Sequence, residues 1–384
     1  MSEATNESSV QSDMIDRMPV NEARPEGAPA HVNLVDTSLR DGMSSVSHKF
    51  TPDQVAQICR GLDKAGITTI EVAHGVGLGG SSIQFGYAAA TDPEYVAAAV
   101  GAVTGADIAV LYVPGIATLP QLKAAQDAGA NTVRVAVHCT EADCAEQAIR
   151  WAREQGLRVM CFLMMSHKLT PEKLAEQAVK LESYGAQVIY VVDSAGALVP
   201  RGAAARVRAL RAAVDVDLGF HAHNNLGVGI ANALVAAEEG ALWIDGSLRG
   251  LGASAGNAQT EVLAAAFERA GYHTGVDLFP LIDTAEHVVA PLMEFPQIVD
   301  ETALVLGYAG VYSTFFHPTK RAAGKYGVRE RDILMELGRR GVIGGQEDMI
   351  IDVAAELSGR SELSRTPADA TSPQGVKAPE AATV

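Results

Sequence analysis

Eight short runs rich in Val, Ile and Leu alternate with helical stretches between residues 31 and 275. This alternation restricts the folds open to the chain more than any other feature. The runs are Val32 to Thr37, Thr69 to Ala73, Ile108 to Tyr112, Thr132 to Val137, Val159 to Met164, Val188 to Val192, Leu218 to His221 and Trp243 to Gly246. Such apolar content suits strands covered on both faces, and strands joined through helices pair in parallel. Two helix starts echo one another: Thr51-Pro52 opens TPDQVAQICRGLDKAG and Thr170-Pro171 opens TPEKLAEQAVKLESYG. Each has a Thr cap, a Pro at the first helical position and a terminal Gly before the next strand. Eight strand–helix units over about 240 residues predict a (β/α)8 TIM barrel. A doubly wound open sheet is the alternative, but no GxGxxG follows the first strand.

The remainder of the chain frames that barrel. Residues 1–30 read as a disordered leader without an apolar signal segment, 31–275 as the catalytic barrel and 358–384 as a disordered tail. Between them, 276–357 carries the helical spacing of VDLFPLIDTAEHVVAPLMEF and DILMELGRRGVIGGQEDMIIDVAAEL and reads as a C-terminal helical domain. With 30 Lys and Arg against 46 Asp and Glu, and no basic block, nucleic acid is not an expected partner. The longest apolar runs fall far short of the roughly 20 residues that span a bilayer, so no membrane segment is expected. Four scattered cysteines without a CxxC pair point to a reducing, cytoplasmic location.

The sharpest chemical signal is Gly219-Phe220-His221-Ala222-His223-Asn224-Asn225 at the end of the seventh run. Residues two apart on a strand project to one side, so His221 and His223 can present both imidazoles to one metal ion. A single buried histidine is more often a hydrogen-bonded core residue. What shifts the balance is Arg40-Asp41-Gly42 after the first run, at the same end of a barrel as HxH. There Asp41 can complete a two-histidine, one-carboxylate set with open positions. Arg40 beside it would place a fixed cation near an oxyanion, where the bland reading is a surface ion pair. Other run ends add His74, His138 to Glu141, Ser166-His167 and Asp193-Ser194, of which Asp193 and Ser194 are the best candidates to touch substrate.

Taken together, TSLRDGM, EVAHGVGLGGSS, HCTEAD, VVDSAGA, GFHAHNNLGVGIANA, GASAGNAQTEVL, GYAGVYSTFFH and GGQEDMIIDVA resemble the 4-hydroxy-2-oxovalerate aldolases, within the metallolyase superfamily of isopropylmalate synthase and HMG-CoA lyase. The similarity runs over nearly all of His31 to Leu357. It implies a class II pyruvate aldolase that uses Mn²⁺, with Mg²⁺ or another divalent ion as alternatives, and an acylating aldehyde dehydrogenase docked on the helical region. By the same resemblance the metal ligands fall on Asp41, His221 and His223, the enolate-stabilising arginine on Arg40 and the active-site tyrosine on Tyr312 rather than Tyr308. Asn257 falls near the metal, either as a ligand or as a partner of one. Substrate contacts are expected from Arg40, Asp41, Ser194 and His221.

This sequence departs from the pattern after RDGM, where the family's base is a histidine and Ser44 stands instead. A serine hydroxyl titrates too high to be an unaided base, which puts a rate factor of roughly 10² to 10⁴ in question. His48 matches a separate histidine of the motif, and Val76 stands where an acidic residue is expected. The expected activity is therefore a metal-dependent aldolase acting at the C3–C4 bond of a 4-hydroxy-2-oxo acid, with Tyr312 or a water held by Ser44 moving the proton. It would be biosynthetic, with a larger or aromatic aldehyde. The alternatives are a catabolic enzyme giving pyruvate and acetaldehyde, or a weakened scaffold for a dehydrogenase.

Overall fold

The computed structural model describes residues 24–364. Its eight parallel strands close into one barrel in sequence order: β1 (Asn33–Leu39), β2 (Thr69–Val72), β3 (Asp107–Tyr112), β4 (Thr132–His138), β5 (Arg158–Met164), β6 (Val188–Asp193), β7 (Asp217–Ala222) and β8 (Ala241–Gly246). Closure comes from β1 against β8, with Val35 opposite Asp245. Each expected run is a strand, and the dense β-branched content matches near-complete burial of all eight.

Helices α1 (Pro52–Lys64), α2 (Asp92–Val100), α3 (Leu119–Asp127), α4 (Glu146–Glu154), α5 (Pro171–Tyr184), α6 (Pro200–Arg211), α7 (Gly229–Glu238) and α8 (Thr260–Arg269) follow the strands in turn. The two echoed starts are real caps. Thr51 and Gln54 form a reciprocal capping box, and the Thr170 side chain accepts from the Lys173 amide. Buried apolar positions such as Val55, Ile58 and Leu62 on α1 set that helix against the strands.

The C-terminal part contains α9 (Leu278–Asp283), a π-helical turn (Thr284–Val289), α10 (Glu301–Ala309), α11 (Phe316–Tyr326), α12 (Glu330–Arg340) and α13 (Met349–Ser364). Two differences from the sequence reading concern its borders. The helical domain was expected to start at 276, yet Leu281, Ala285 and Val289 belong to the barrel's apolar core. A separate core begins only with Ala303 and Leu306 and includes Phe315, Ile333, Leu337 and Val353. Helical spacing shows that a segment is a helix but not which core its apolar face joins. The last helix also runs to Ser364, past the expected end at Leu357. Extending a helix already anchored by Ile350, Val353 and Ala354 costs far less than starting one.

Likewise, residues 24–30 do not behave as a free leader. Ala28 N–H donates to the Pro25 carbonyl in a local turn, and His273 N–H donates to the Ala30 carbonyl, which ties the end of this stretch to the chain after α8. Residues 1–23 and 365–384, the rest of the expected leader and tail, lie outside the described residues.

Candidate active site

Strand ends at one mouth of the barrel bring the site together. Leu39 ends β1, and Asp41 opens the short 3-10 turn after it. His221 lies near the end of β7 and His223 just past it. The Asp41 Oδ2 atom is 3.5 Å from His221 Nε2 and 3.6 Å from His223 Nε2. These gaps exceed a hydrogen bond of about 2.7–3.2 Å, so the three donors surround a common point instead of satisfying one another. All their ligand atoms lie within 4.8 Å of each other, and all three residues are buried.

Neighbours fix two of the three donors, His221 and Asp41. His221 Nδ1 donates to Asp245 Oδ2 at 2.8 Å, which turns the other ring nitrogen toward Asp41. The Asn257 amide donates to Asp41 Oδ2 at 2.8 Å and to the Leu251 carbonyl at 2.9 Å. Arg40 Nη1 sits 3.1 Å from Asp41 Oδ1, and its Nε donates to Glu71 Oε2 at 2.7 Å. Charge follows this geometry. Burial pushes the Asp41 carboxyl up, but Arg40 and then the two imidazoles outweigh it and hold the group well below the usual carboxylate range. Burial also opposes charge on His221, yet Asp245 and Asp41 raise its pKa to about 9. At His223 burial wins, against the pull of Asp41, and the pKa falls to about 4.

A cavity of about 800 Å³ opens over this cluster and takes in Arg40, Asp41, Ser44, Ser194, His221, His223 and Tyr312. Tyr312 comes from the helical part. Its neighbour Ser313 donates through Oγ to the Ser194 carbonyl at 2.8 Å, and Asn225 Nδ2 donates to that Oγ at 3.2 Å. Burial and then Asp41 push the Tyr312 phenol up to about 12. Tyr308 is 75% exposed and does not line the cavity.

The other strand-end residues divide. Asp193 closes its own turn, accepting from the amides of Ala197 and Leu198, and does not line the cavity. Ser194 does line it, but its Oγ already accepts from the Met165 amide at 2.9 Å. His167 faces the helical part, with Nε2 3.1 Å from the Gly310 carbonyl. His138 and Glu141 border the cavity, and His138 Nε2 is buried without a hydrogen-bond partner.

His48 stacks on His74 at 3.8 Å, and its Nδ1 accepts from the Gly75 amide at 3.3 Å. Burial, with His74 and Lys49, lowers it to about 3. A Cβ on Gly75 would meet His48 Cε1 at 2.5 Å and Ser44 Oγ at 2.9 Å, so glycine is what lets these two side chains close over the backbone.

Residues 31–288 match the HMGL-like family model, and residues 297–359 match the DmpG-like communication domain. Over 337 residues the chain is 78% identical to 4-hydroxy-2-oxovalerate aldolase 2 of Rhodococcus jostii (strain RHA1), covering 88% of this chain and 98% of that one. The chain belongs to the 4-hydroxy-2-oxovalerate aldolase family. A more distant member, the 4-hydroxy-2-oxovalerate aldolase of Carboxydothermus hydrogenoformans, is 56% identical over 85% of this chain and 97% of its own. Among solved structures, the carboxyl transferase domain of Rhizobium etli pyruvate carboxylase superposes with a TM-score of 0.73 at 18% identity, covering 87% of this chain and 62% of that one. The HMG-CoA lyase of Brucella melitensis gives 0.60 at 23% identity, covering 70% and 100%. These two likenesses show the shared barrel alone.

The protein is thus a carbon–carbon lyase, an aldolase acting on 4-hydroxy-2-oxo acids. The family implies a divalent metal, and the residues present fit one. Two imidazole nitrogens and one carboxylate converge, one imidazole is oriented from behind, and Nδ1 of the other is buried without a hydrogen-bond partner.

The aldolase also holds three groups that sequence reasoning passed over: Glu71, Arg134 and Asp245, all buried within strands. Their signal was available. A charged residue in the middle of TIEV, TVRVAVH or ALWIDG is out of place in a strand covered on both faces.

Proposed function

We propose that this aldolase cleaves a short 4-hydroxy-2-oxo acid to pyruvate and an aldehyde, 4-hydroxy-2-oxovalerate giving acetaldehyde. The carrying observation is the convergence of Asp41, His221 and His223 under a cavity that Arg40 and Tyr312 also enter, in a chain so similar to named 4-hydroxy-2-oxovalerate aldolases. The biosynthetic reading with an aromatic aldehyde draws no support from those relatives. A cavity of about 800 Å³ does favour room for aldehydes longer than acetaldehyde.

A divalent cation held by Asp41, His221 and His223, which we take to be Mn²⁺, would act as a Lewis acid toward the 2-oxo group. As C3–C4 breaks, its electron pair moves toward C2, and negative charge gathers on the 2-oxo oxygen. Arg40 supplies a fixed positive charge there, held in place by Glu71 so that no reorganisation is needed during reaction. Tyr312 stays protonated at neutral pH and can donate a hydrogen bond to the substrate oxygens. Loss of the 4-hydroxyl proton starts the cleavage. Ser44 Oγ, on the cavity wall, can hold the water that takes it and returns it to C3, so that the enolate leaves as pyruvate. His48 is ill placed for that role, since its Nδ1 accepts from Gly75 and its ring lies against His74. Ser194 contributes through its backbone, anchoring Ser313 beside Tyr312.

The communication-domain match supports an acylating aldehyde dehydrogenase as partner, seated on the helical part. Residues of that part, including Thr314, Ile343 and Glu347, line the cavity with the barrel residues, so the barrel and the helical unit act on one space. Cys59, Cys139, Cys144 and Cys161 are all unpaired, in keeping with a reducing cytoplasm. Among the described residues no helix is long and apolar enough to cross a membrane.

The deciding experiment supplies the Mn²⁺-loaded protein with 4-hydroxy-2-oxovalerate and its longer homologues and follows pyruvate and aldehyde release. Turnover that disappears with a chelator and returns with Mn²⁺ is expected. No pyruvate from any member of the series would refute the reading.

A further inference from the structure

Inside a barrel of this type, each layer of side chains comes from alternate strands and is normally filled by bulky branched residues. Here the even-numbered strands contribute Glu71 (β2), Arg134 (β4), Tyr190 (β6) and Asp245 (β8), and all four are buried. Arg134 joins them across the barrel interior. Its Nη2 donates to both Asp245 oxygens, at 2.7 and 2.5 Å, and its Nη1 forms an ion pair with Glu71 Oε2 at 3.0 Å. The guanidinium carbon lies 4.2 Å from the centre of the Phe162 ring and 4.8 Å from that of Tyr190, which fixes its plane.

The same carboxylate oxygens that Arg134 holds also serve the site above. Asp245 Oδ2 accepts from His221 Nδ1 at 2.8 Å, and Glu71 Oε2 accepts from Arg40 Nε at 2.7 Å. Arg40 and His221 then meet again at Asp41, closing a ring of six side chains. Well-packed apolar residues would fill this layer at equal or better stability, so buried charges in this place point to function.

We propose that Arg134 is a positioning residue for the aldol reaction, setting the metal ligand His221 through Asp245 and the oxyanion cation Arg40 through Glu71. This rests on the aldolase reading for its kinetic consequences only; the effect on metal affinity stands apart from it. Lysine cannot replace arginine here. A single ammonium lacks the planar fork that grips two carboxylates on opposite sides of a barrel.

The test compares the wild-type protein with Arg134→Lys, Asp245→Asn and Glu71→Gln. Mn²⁺ affinity is read from the electron paramagnetic resonance of free Mn²⁺, melting temperature is recorded for each variant, and kcat and KM are measured at saturating Mn²⁺. Asp245→Asn is expected to weaken Mn²⁺ binding by about 10- to 100-fold, as loss of a ligand's supporting partner does. Glu71→Gln is expected to lower kcat while leaving Mn²⁺ affinity nearly unchanged, and Arg134→Lys to do both. If Arg134→Lys does not fold, the near-isosteric Asp245→Asn and Glu71→Gln still decide. Wild-type Mn²⁺ affinity in Asp245→Asn, or wild-type affinity and kcat in a folded Arg134→Lys, overturns the proposal. A wild-type protein that binds Mn²⁺ yet cleaves no 4-hydroxy-2-oxo acid refutes the aldolase reading, and the affinities then decide the role of Arg134 alone.

Discussion

The two arcs of the cavity wall are built on opposite principles. The arc formed by β7, β8 and β1 carries His221, His223 and the Arg40-Asp41 pair, and all but His223 are held by a hydrogen-bonded partner. Across the barrel, β3, β4 and β5 with the loop after β3 present Leu111, Val113, Ile116, Ala136, Phe162 and Met164. On the proposed reading the first arc would hold the oxo acid by charge and coordination, while the second, apart from His138 and Glu141 at its rim, would offer an aldehyde shape and apolar surface. Discrimination should therefore be steep on the first side and shallow on the second. A site built to pair a polar group penalises its absence heavily, whereas one methylene in an apolar pocket is worth only about 1–3 kcal/mol.

The contrast can be broken first at the three candidate metal donors. Asp41→Asn or His221→Ala is expected to abolish stoichiometric Mn²⁺ binding and to cut kcat by about 10³-fold or more, measured by metal analysis and by pyruvate release. Full activity in either variant would dissolve the distinction between the arcs. Arg40→Met should leave Mn²⁺ bound while lowering kcat by about 10²- to 10³-fold, since only the oxyanion's cation is lost. Ser44→His tests the boundary between the arcs. A histidine base there is expected to raise turnover of 4-hydroxy-2-oxovalerate by up to about 10²-fold, and an unchanged kcat would remove proton transfer as the limiting step.

On the apolar arc the effects are smaller. Val113→Ala should shift the ratio of kcat/KM toward aldehyde products one or two carbons longer by about 10-fold, with Mn²⁺ affinity unaltered. Finally, chelator treatment is expected to lower the melting temperature by a few degrees, because the metal binds the folded charged arc and not the unfolded chain. The same treatment of Asp41→Asn should change nothing, and a matching drop there would place the stabilising metal elsewhere.

The sequence announced one arc far better than the other. HxH and Arg-Asp are local signals at strand ends, and a barrel carries strand ends to a single mouth, so the meeting of Asp41 with His221 and His223 could be read from spacing. The pairing within the charged floor could not, although the charges themselves stand out in apolar runs. Arg134 and Asp245 stand 111 residues apart, and nothing near either one names its partner. Asp193 misled for the opposite reason. Its position after a strand looked like a substrate contact, but two nearby amides satisfy the carboxylate locally. Leu281, Ala285 and Val289 carry the period of a helix without indicating that they join the barrel's apolar core. The alternating Val, Ile and Leu runs, by contrast, dictate their own environment, and all eight strands follow from them.

Ser313, latched to Ser194 and Asn225, makes the neighbouring phenol of Tyr312 a guest of the barrel supplied by another part of the chain. A shortened gene product ending after β8 would keep its metal donors yet lack this hydroxyl. The outer helices thus own a stretch of the cavity wall, clipped to the loops that follow β6 and β7.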